Sequence, residues 1–170
     1  YLLDPERRGR EVWEYRWGRG SPVGGVWGAT VDGSRAYFAV ADQLTPAPGG
    51  LHAVDLATGQ RAWFTPPQDP VCKPGRGCSP AQSAALTSIP GVVFSGGADG
   101  AVRAYSSSDG KVLWTFDTNR DFPTVNGVKA NGGSIDGPGP VVVGGMVYVT
   151  AGNGGIVGSP GNVLLAFSLE

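Results

Sequence analysis

The chain has 170 residues, of which Gly (29) and Pro (14) make up about a quarter; 41% are hydrophobic and the formal net charge is -1. That hydrophobic fraction and near-neutral charge exclude a disordered chain, and 13 basic against 14 acidic residues leave no field to attract nucleic acid or an anionic membrane. No apolar run approaches the roughly 20 residues of a membrane span, and these residues show no signal peptide.

In chain order, a cassette repeats. Leu2-Leu3-Asp4 is followed by Gly9-Arg10-Glu11-Val12-Trp13. Ala53-Val54-Asp55 is followed by Gly59-Gln60-Arg61-Ala62-Trp63, and Ala104-Tyr105-Ser106 by Gly110-Lys111-Val112-Leu113-Trp114. Ala166-Phe167-Ser168 opens a fourth copy just before the end. Self-similarity at a period near 50 residues marks a stack of like units. The chain opens on Tyr1 and ends at Glu170 inside a strand-like run, so an internal piece of a longer protein is expected.

Each unit reads as four short strands. In the first full unit they are Trp27–Val31, Arg35–Ala41, Gly50–Asp55 and Gln60–Thr65, with turns at Asp32-Gly33-Ser34 and Ala57-Thr58-Gly59. In the second they are Ser83–Ile89, Val92–Gly96, Ala101–Tyr105 and Lys111–Asp117, with turns at Pro90-Gly91, Asp99-Gly100 and Asp109-Gly110. The third runs from Pro140–Val143 through Met146–Thr150 to Val163–Ser168. Asp-Gly and Pro-Gly between β-branched and aromatic runs are hairpin chemistry, because Gly accepts the positive φ of these turns. No helical period appears. Four antiparallel strands per unit of about 50 residues is a β-propeller blade. The expected fold is therefore all-β: a propeller fragment of about three to three and a half four-stranded antiparallel blades. The boundaries are a blade end over 1–20, blades over about 21–68 and 80–118, and an incomplete blade over about 134–170. Trp13, Trp63 and Trp114 are read as inter-blade docking residues, because one sheet cannot bury both faces alone.

Cys72 and Cys78 enclose a Gly- and Pro-rich run of five residues. The spacing fits neither a CxxC redox motif nor haem attachment, and two cysteines are too few for a metal site. It allows a loop-stapling disulfide, which would imply an oxidising compartment, with two free thiols as the alternative.

Ala53-Val54-Asp55-Leu56-Ala57-Thr58-Gly59-Gln60-Arg61-Ala62-Trp63 resembles the docking motif of pyrroloquinoline quinone (PQQ) β-propellers, the quinoprotein family. Thr124-Val125-Asn126-Gly127-Val128-Lys129-Ala130, Gly132-Gly133-Ser134 and Pro160-Gly161-Asn162-Val163-Leu164-Leu165-Ala166-Phe167 are similar to its polyvinyl-alcohol dehydrogenase-like branch. The loop from Cys72 to Cys78 and Ser79-Pro80-Ala81-Gln82-Ser83 also fit that branch. The resemblance implies a periplasmic or secreted enzyme that oxidises an alcohol with PQQ and Ca²⁺ near the propeller axis. It also implies electron transfer to a cytochrome c or a fused haem domain, with no such haem motif in this chain, and further blades elsewhere. A different function on the same repeats is a non-catalytic propeller that binds proteins, as in outer-membrane assembly lipoproteins.

Candidate site residues lie mainly between Asn119 and Gly139, the longest stretch expected to be irregular. Lys129 and Arg120 suit the carboxylates of PQQ, Asn126 its quinone, and Asp136 a general base, the alternatives being a solvated loop and a capped turn. Trp27, flanked by Gly24-Gly25-Val26 and Gly28, suits an aromatic platform or a core position. Asn153, in Ala151-Gly152-Asn153, and Asp42 are candidate calcium ligands, although calcium wants about six to eight oxygens. His52, the only histidine, sits on an alternating strand and is read as a strand residue rather than a catalyst.

Overall fold

The computed structural model describes residues 1–20, 27–75, 77–154 and 158–169. The architecture is all-β, with one 3-10 turn at Pro5–Arg7 and no α-helix among the described residues. A hairpin of β1 (Leu2–Asp4) and β2 (Arg10–Trp13) comes first. A four-stranded antiparallel sheet follows, in the order β3 (Thr30–Val31), β4 (Arg35–Ala39), β5 (Leu51–Asp55) and β6 (Arg61–Thr65). The next blade has β7 (Thr87–Ile89), β8 (Val92–Gly96), β9 (Ala101–Ser106) and β10 (Val112–Asp117) in the same order. A small hairpin, β11 (Asp121–Phe122) with β12 (Ala130–Asn131), precedes a three-stranded sheet of β13 (Val141–Val143), β14 (Met146–Ala151) and β15 (Val163–Ser168). Chain order equals sheet order in every blade, so each strand pairs with the next in sequence.

The core lies between blades. Tyr37, Leu51 and Ala53 of the first full blade pack with Leu86, Val93 and Tyr105 of the second, and Trp63 closes that cluster. Val102, Ile135, Val149 and Val163 form the matching cluster between the second and third sheets. Two tryptophans dock alike: the Trp13 indole N–H donates to the Leu56 carbonyl at 2.9 Å, and that of Trp63 to the Ser107 carbonyl at 3.0 Å. The Gly of the following cassette lies against the indole face. A Cβ on Gly59 would sit 2.6 Å from Trp13, and one on Gly110 would sit 2.6 Å from Trp63. Both glycines also have φ above +70°, so the turn and the close approach demand the same residue.

Two expectations need correction. The innermost strands are shorter than expected: Trp27–Ala29 and Ser83–Leu86 lie outside the ladders. Their backbone partners sit on neighbouring blades instead, with Leu86 N–H donating to Gly28 O at 3.1 Å and Ala85 N–H to Gly137 O at 3.0 Å. The segment from Asn119 to Gly139 is not wholly irregular, since it carries the β11–β12 hairpin. The expected Gly24-Gly25-Val26 flank of Trp27 lies outside the described residues.

Cys72 and Cys78 are joined in a disulfide with Cα atoms 5.6 Å apart, so the free-thiol alternative falls away. Cross-linking so short a loop restricts the unfolded chain only modestly, and its reduction is expected to cost roughly 2–3 kcal/mol. Denaturant midpoints with and without reductant would measure this, and coincident curves would contradict it.

Candidate functional site

An antiparallel four-strand meander puts its connections at two ends. The links from an outermost strand to the next innermost one (14–29, 66–86 and 118–140) share an end with the second-to-third-strand loops (40–50, 97–100 and 152–162). Every candidate site residue named above lies at that end. The opposite end carries only tight turns.

The pairings Arg35 with Asp55, Val92 with Ser106 and Met146 with Ser168 align the blades, which makes Asp42, Asp99 and Asn153 equivalent positions. Each ties the local loop down differently. Asp42 is buried in the left-handed region at φ 45°, and its Oδ2 accepts the Arg19 N–H at 2.5 Å. Asp99 is fully buried and paired with Arg103 at 2.6 Å. It also accepts the Val71 N–H at 3.2 Å, while Arg103 donates to Asp69 O at 3.3 Å, so the pair clasps the link that contains the disulfide. Asn153 donates from Nδ2 to Thr150 Oγ1 at 3.1 Å, and its backbone N–H to Ser134 O at 2.9 Å. Among the described residues no group of three or more His, Cys, Asp or Glu could hold a metal ion. Asp42 and Asn153 stand on different blades, and each supplies a single candidate side chain, well short of a calcium shell.

Asn126 and Lys129 lie together at the exposed tip of the β11–β12 hairpin. The Asn126 Oδ1 accepts the Val128 N–H at 3.2 Å, which makes it a turn former. The Lys129 side chain is exposed while its carbonyl accepts from Asn162 Nδ2 at 3.2 Å. Asn162 also accepts the Asn131 N–H at 3.0 Å, so this hairpin and the 152–162 loop that carries Asn153 form one assembly. Arg120 is placed apart from them: its guanidinium lies over Phe116 at 4.8 Å and Phe122 at 5.1 Å, beside the outermost strand β10.

Asp136 and Trp27 stand near the innermost strands. Asp136 Oδ1 is buried with no hydrogen-bond partner among the described residues. The next residue, Gly137, faces the Trp27 ring, which a Cβ there would meet at 3.8 Å. Trp27 is 58% exposed and lines a cleft of about 150 Å³ with Trp17, Phe38, Gln82 and Ser83. Sequence reasoning missed Trp17, Gln82, Ser83 and the Asp99–Arg103 pair. Trp17 lay outside the cassette, and nothing in the local pattern flagged it.

His52 has a packing role. It shares a hydrogen bond from Nδ1 with the Tyr15 hydroxyl at 2.7 Å, and its ring lies 4.4 Å from that of Phe64. Burial, helped by the Arg61 charge, pushes its pKa down to about 4 from the ordinary 6.5. Between those values the unfolded chain takes up a proton that the folded one refuses. The stabilisation is therefore complete above about pH 6.5 and is lost as pH falls towards 4, by up to about 3 kcal/mol. Denaturation of wild type and His52→Phe at pH 7 and 4.5 would measure it; the variant should show a flatter acid slope.

Blades stacked by recurring tryptophans, with all long connections at one end, define a β-propeller of the PQQ type. A family profile described as outer membrane protein assembly factor BamB matches residues 1–159, and the chain belongs to this PQQ-type β-propeller family. It is 42% identical over its whole length to a polyvinylalcohol dehydrogenase of Pseudomonas sp and 38% identical to one of Sphingopyxis sp. (strain 113P3). The chain spans 29% of the length of each of these relatives. Among solved structures, BamB from Moraxella catarrhalis superposes with TM-score 0.52 at 19% identity, over 82% of this chain and 32% of that one. A europium-containing methanol dehydrogenase does so with TM-score 0.52 at 22% identity, over 84% and 23%. At those identities the two structures speak to fold alone.

Proposed function

We propose that this chain is part of a PQQ-dependent dehydrogenase that oxidises secondary alcohols, polyvinyl alcohol or related ones, in the periplasm or outside the cell, and passes electrons to a cytochrome c. The observation that carries this reading is the 42% identity to a polyvinylalcohol dehydrogenase along the entire chain. The chemistry of the site supports it. An exposed lysine, an amide-bearing turn, a carboxylate oxygen without a partner among the described residues and an exposed indole share one end of the blades. The disulfide fits an oxidising compartment, and no helix among the described residues is long and apolar enough to cross a membrane.

In this reading PQQ, when bound, supplies a quinone that accepts a hydride from the alcohol carbon. Lys129 would hold one of its carboxylates, Asn126 would hydrogen-bond its rim, and Arg120 would add positive charge from the blade edge. Asp136, through the carboxylate oxygen that lacks a partner among the described residues, would take the hydroxyl proton of the substrate. Trp27 would wall the cofactor space from the adjoining cleft. A Ca²⁺ at this end would use Asn153 or Asp42 only alongside oxygens from outside these residues.

The test is reconstitution of the full-length apo-protein with PQQ and Ca²⁺, followed by dye reduction with a secondary alcohol. Uptake and turnover are expected, and the absence of both would overturn this reading. Lys129→Ala is expected to weaken PQQ binding by roughly ten- to a hundredfold, since a charge-assisted bond contributes about 1.5–3 kcal/mol. Wild-type affinity in that variant would remove Lys129 from the site. The BamB description of the family favours a second reading, a propeller that binds other proteins. The tryptophan docking serves it equally well, because it needs no cofactor. Absence of PQQ uptake would select it.

A further inference from the structure

The cleft beside Trp27 has a composition of its own. Its walls are the indoles of Trp17 and Trp27 and the ring of Phe38, with Gln82 and Ser83 as its polar residues. Among the described residues, no charged side chain lines it. Gln82 is spent: it donates to Ser95 Oγ at 2.9 Å and Tyr105 OH at 3.1 Å, and accepts the Gly50 N–H at 3.0 Å. Ser83, 5% exposed, accepts from Gln43 Nε2 at 3.3 Å, which leaves its hydroxyl proton to donate elsewhere. The Trp17 indole N–H is buried without an acceptor among the described residues.

These features select a ligand. A polyanion such as the three-carboxylate cofactor would lose its water here and meet no cation, which is costly. The volume, about 150 Å³, is about half the lower end of the roughly 300–1,000 Å³ typical of pockets for drug-sized ligands. A short neutral segment fits, with apolar faces for the aromatic walls and an oxygen to accept from Ser83. We propose that the Trp17–Trp27 cleft is a subsite for the alcohol chain itself, a run of a few carbons bearing secondary hydroxyls, held beside the carbon that is oxidised.

This inference rests on the dehydrogenase reading for its reaction, but binding tests it without the cofactor. Equilibrium dialysis of a short vinyl-alcohol oligomer against the full-length apo-protein gives the affinity directly. Trp27→Leu and Ser83→Ala are each expected to weaken that affinity by about tenfold. Lys111→Ala, at the opposite end of the blades, should leave it unchanged. Both site variants are first checked by circular dichroism, and the exposed Trp27 position provides a readout even if Ser83→Ala misfolds. No binding by wild type, or unchanged affinity in Trp27→Leu, overturns the subsite. So does a fall in PQQ uptake in Trp27→Leu with oligomer affinity intact, which would give the cleft to the cofactor. Oligomer binding without PQQ uptake by wild type would keep the subsite and overturn the dehydrogenase reading.

Discussion

Replacing Trp63 by Ala in the full-length protein is expected to destabilise it by about 3–5 kcal/mol, the usual range for deleting a large aromatic from a core. The ring packs 5.8 Å from that of Tyr37 between two blades, and its N–H bonds the Ser107 carbonyl, so both apolar contact and a hydrogen bond are lost. The same junction can be broken from its other side. Gly110→Ala would force a Cβ to within 2.6 Å of the indole at a φ of +75°, so backbone strain adds to overpacking for about 2–4 kcal/mol. Gly33→Ala is the control. Its Cβ would meet nothing within 4 Å, and a change within about 0.5 kcal/mol is expected. Urea midpoints of the three variants check all three values, and a Trp63→Ala effect as small as that of Gly33→Ala would refute the docking role.

Arg103→Met is expected to cost about 3–5 kcal/mol, because it strands the fully buried Asp99 carboxylate without its counter-charge. The double variant Asp99→Asn/Arg103→Met removes both charges and keeps an acceptor for one of the Val71 and Ala101 N–H groups, which bond different oxygens of Asp99, so part of the loss should return. The damage should also be local. The clasped link from 66 to 86 should become cleavable by protease before the blades unfold. A single variant no less stable than the double one would show that the pair contributes nothing through its charges.

The repeat was legible in the chain because its causes are local. A Gly is needed wherever a turn demands positive φ, and alternating residues follow from the pleat. The Gly59–Trp63 and Gly110–Trp114 cassettes therefore announce blades without reference to anything distant. Even the docking of Trp63 follows from the period, since Trp13 and Trp63 each bond the next blade through the same contact, whereas Trp114 packs edge-on against Phe167 of the third sheet. The equivalence of Asp42, Asp99 and Asn153 was hidden. It depends on strand register, and the three residues sit in loops of unequal length with unlike neighbours.

The connections between blades obey no such period. Asp99 and Arg103 read as a turn residue and a strand residue, and only the fold brings them under Asp69 and Val71 of the preceding link. Trp17 and Trp27 are separated by a Gly-rich stretch whose composition says nothing about which wall each indole forms. Arg120 gives no sign in the sequence of its neighbours, and only the fold sets its guanidinium over Phe116 and Phe122 beside the outer strand. The sequence by itself determined the blades, their turns and their family, because those features repeat at short range. The tertiary structure alone decided which loop residues meet at the functional end, because their contacts join different blades and are set by packing geometry rather than by spacing along the chain.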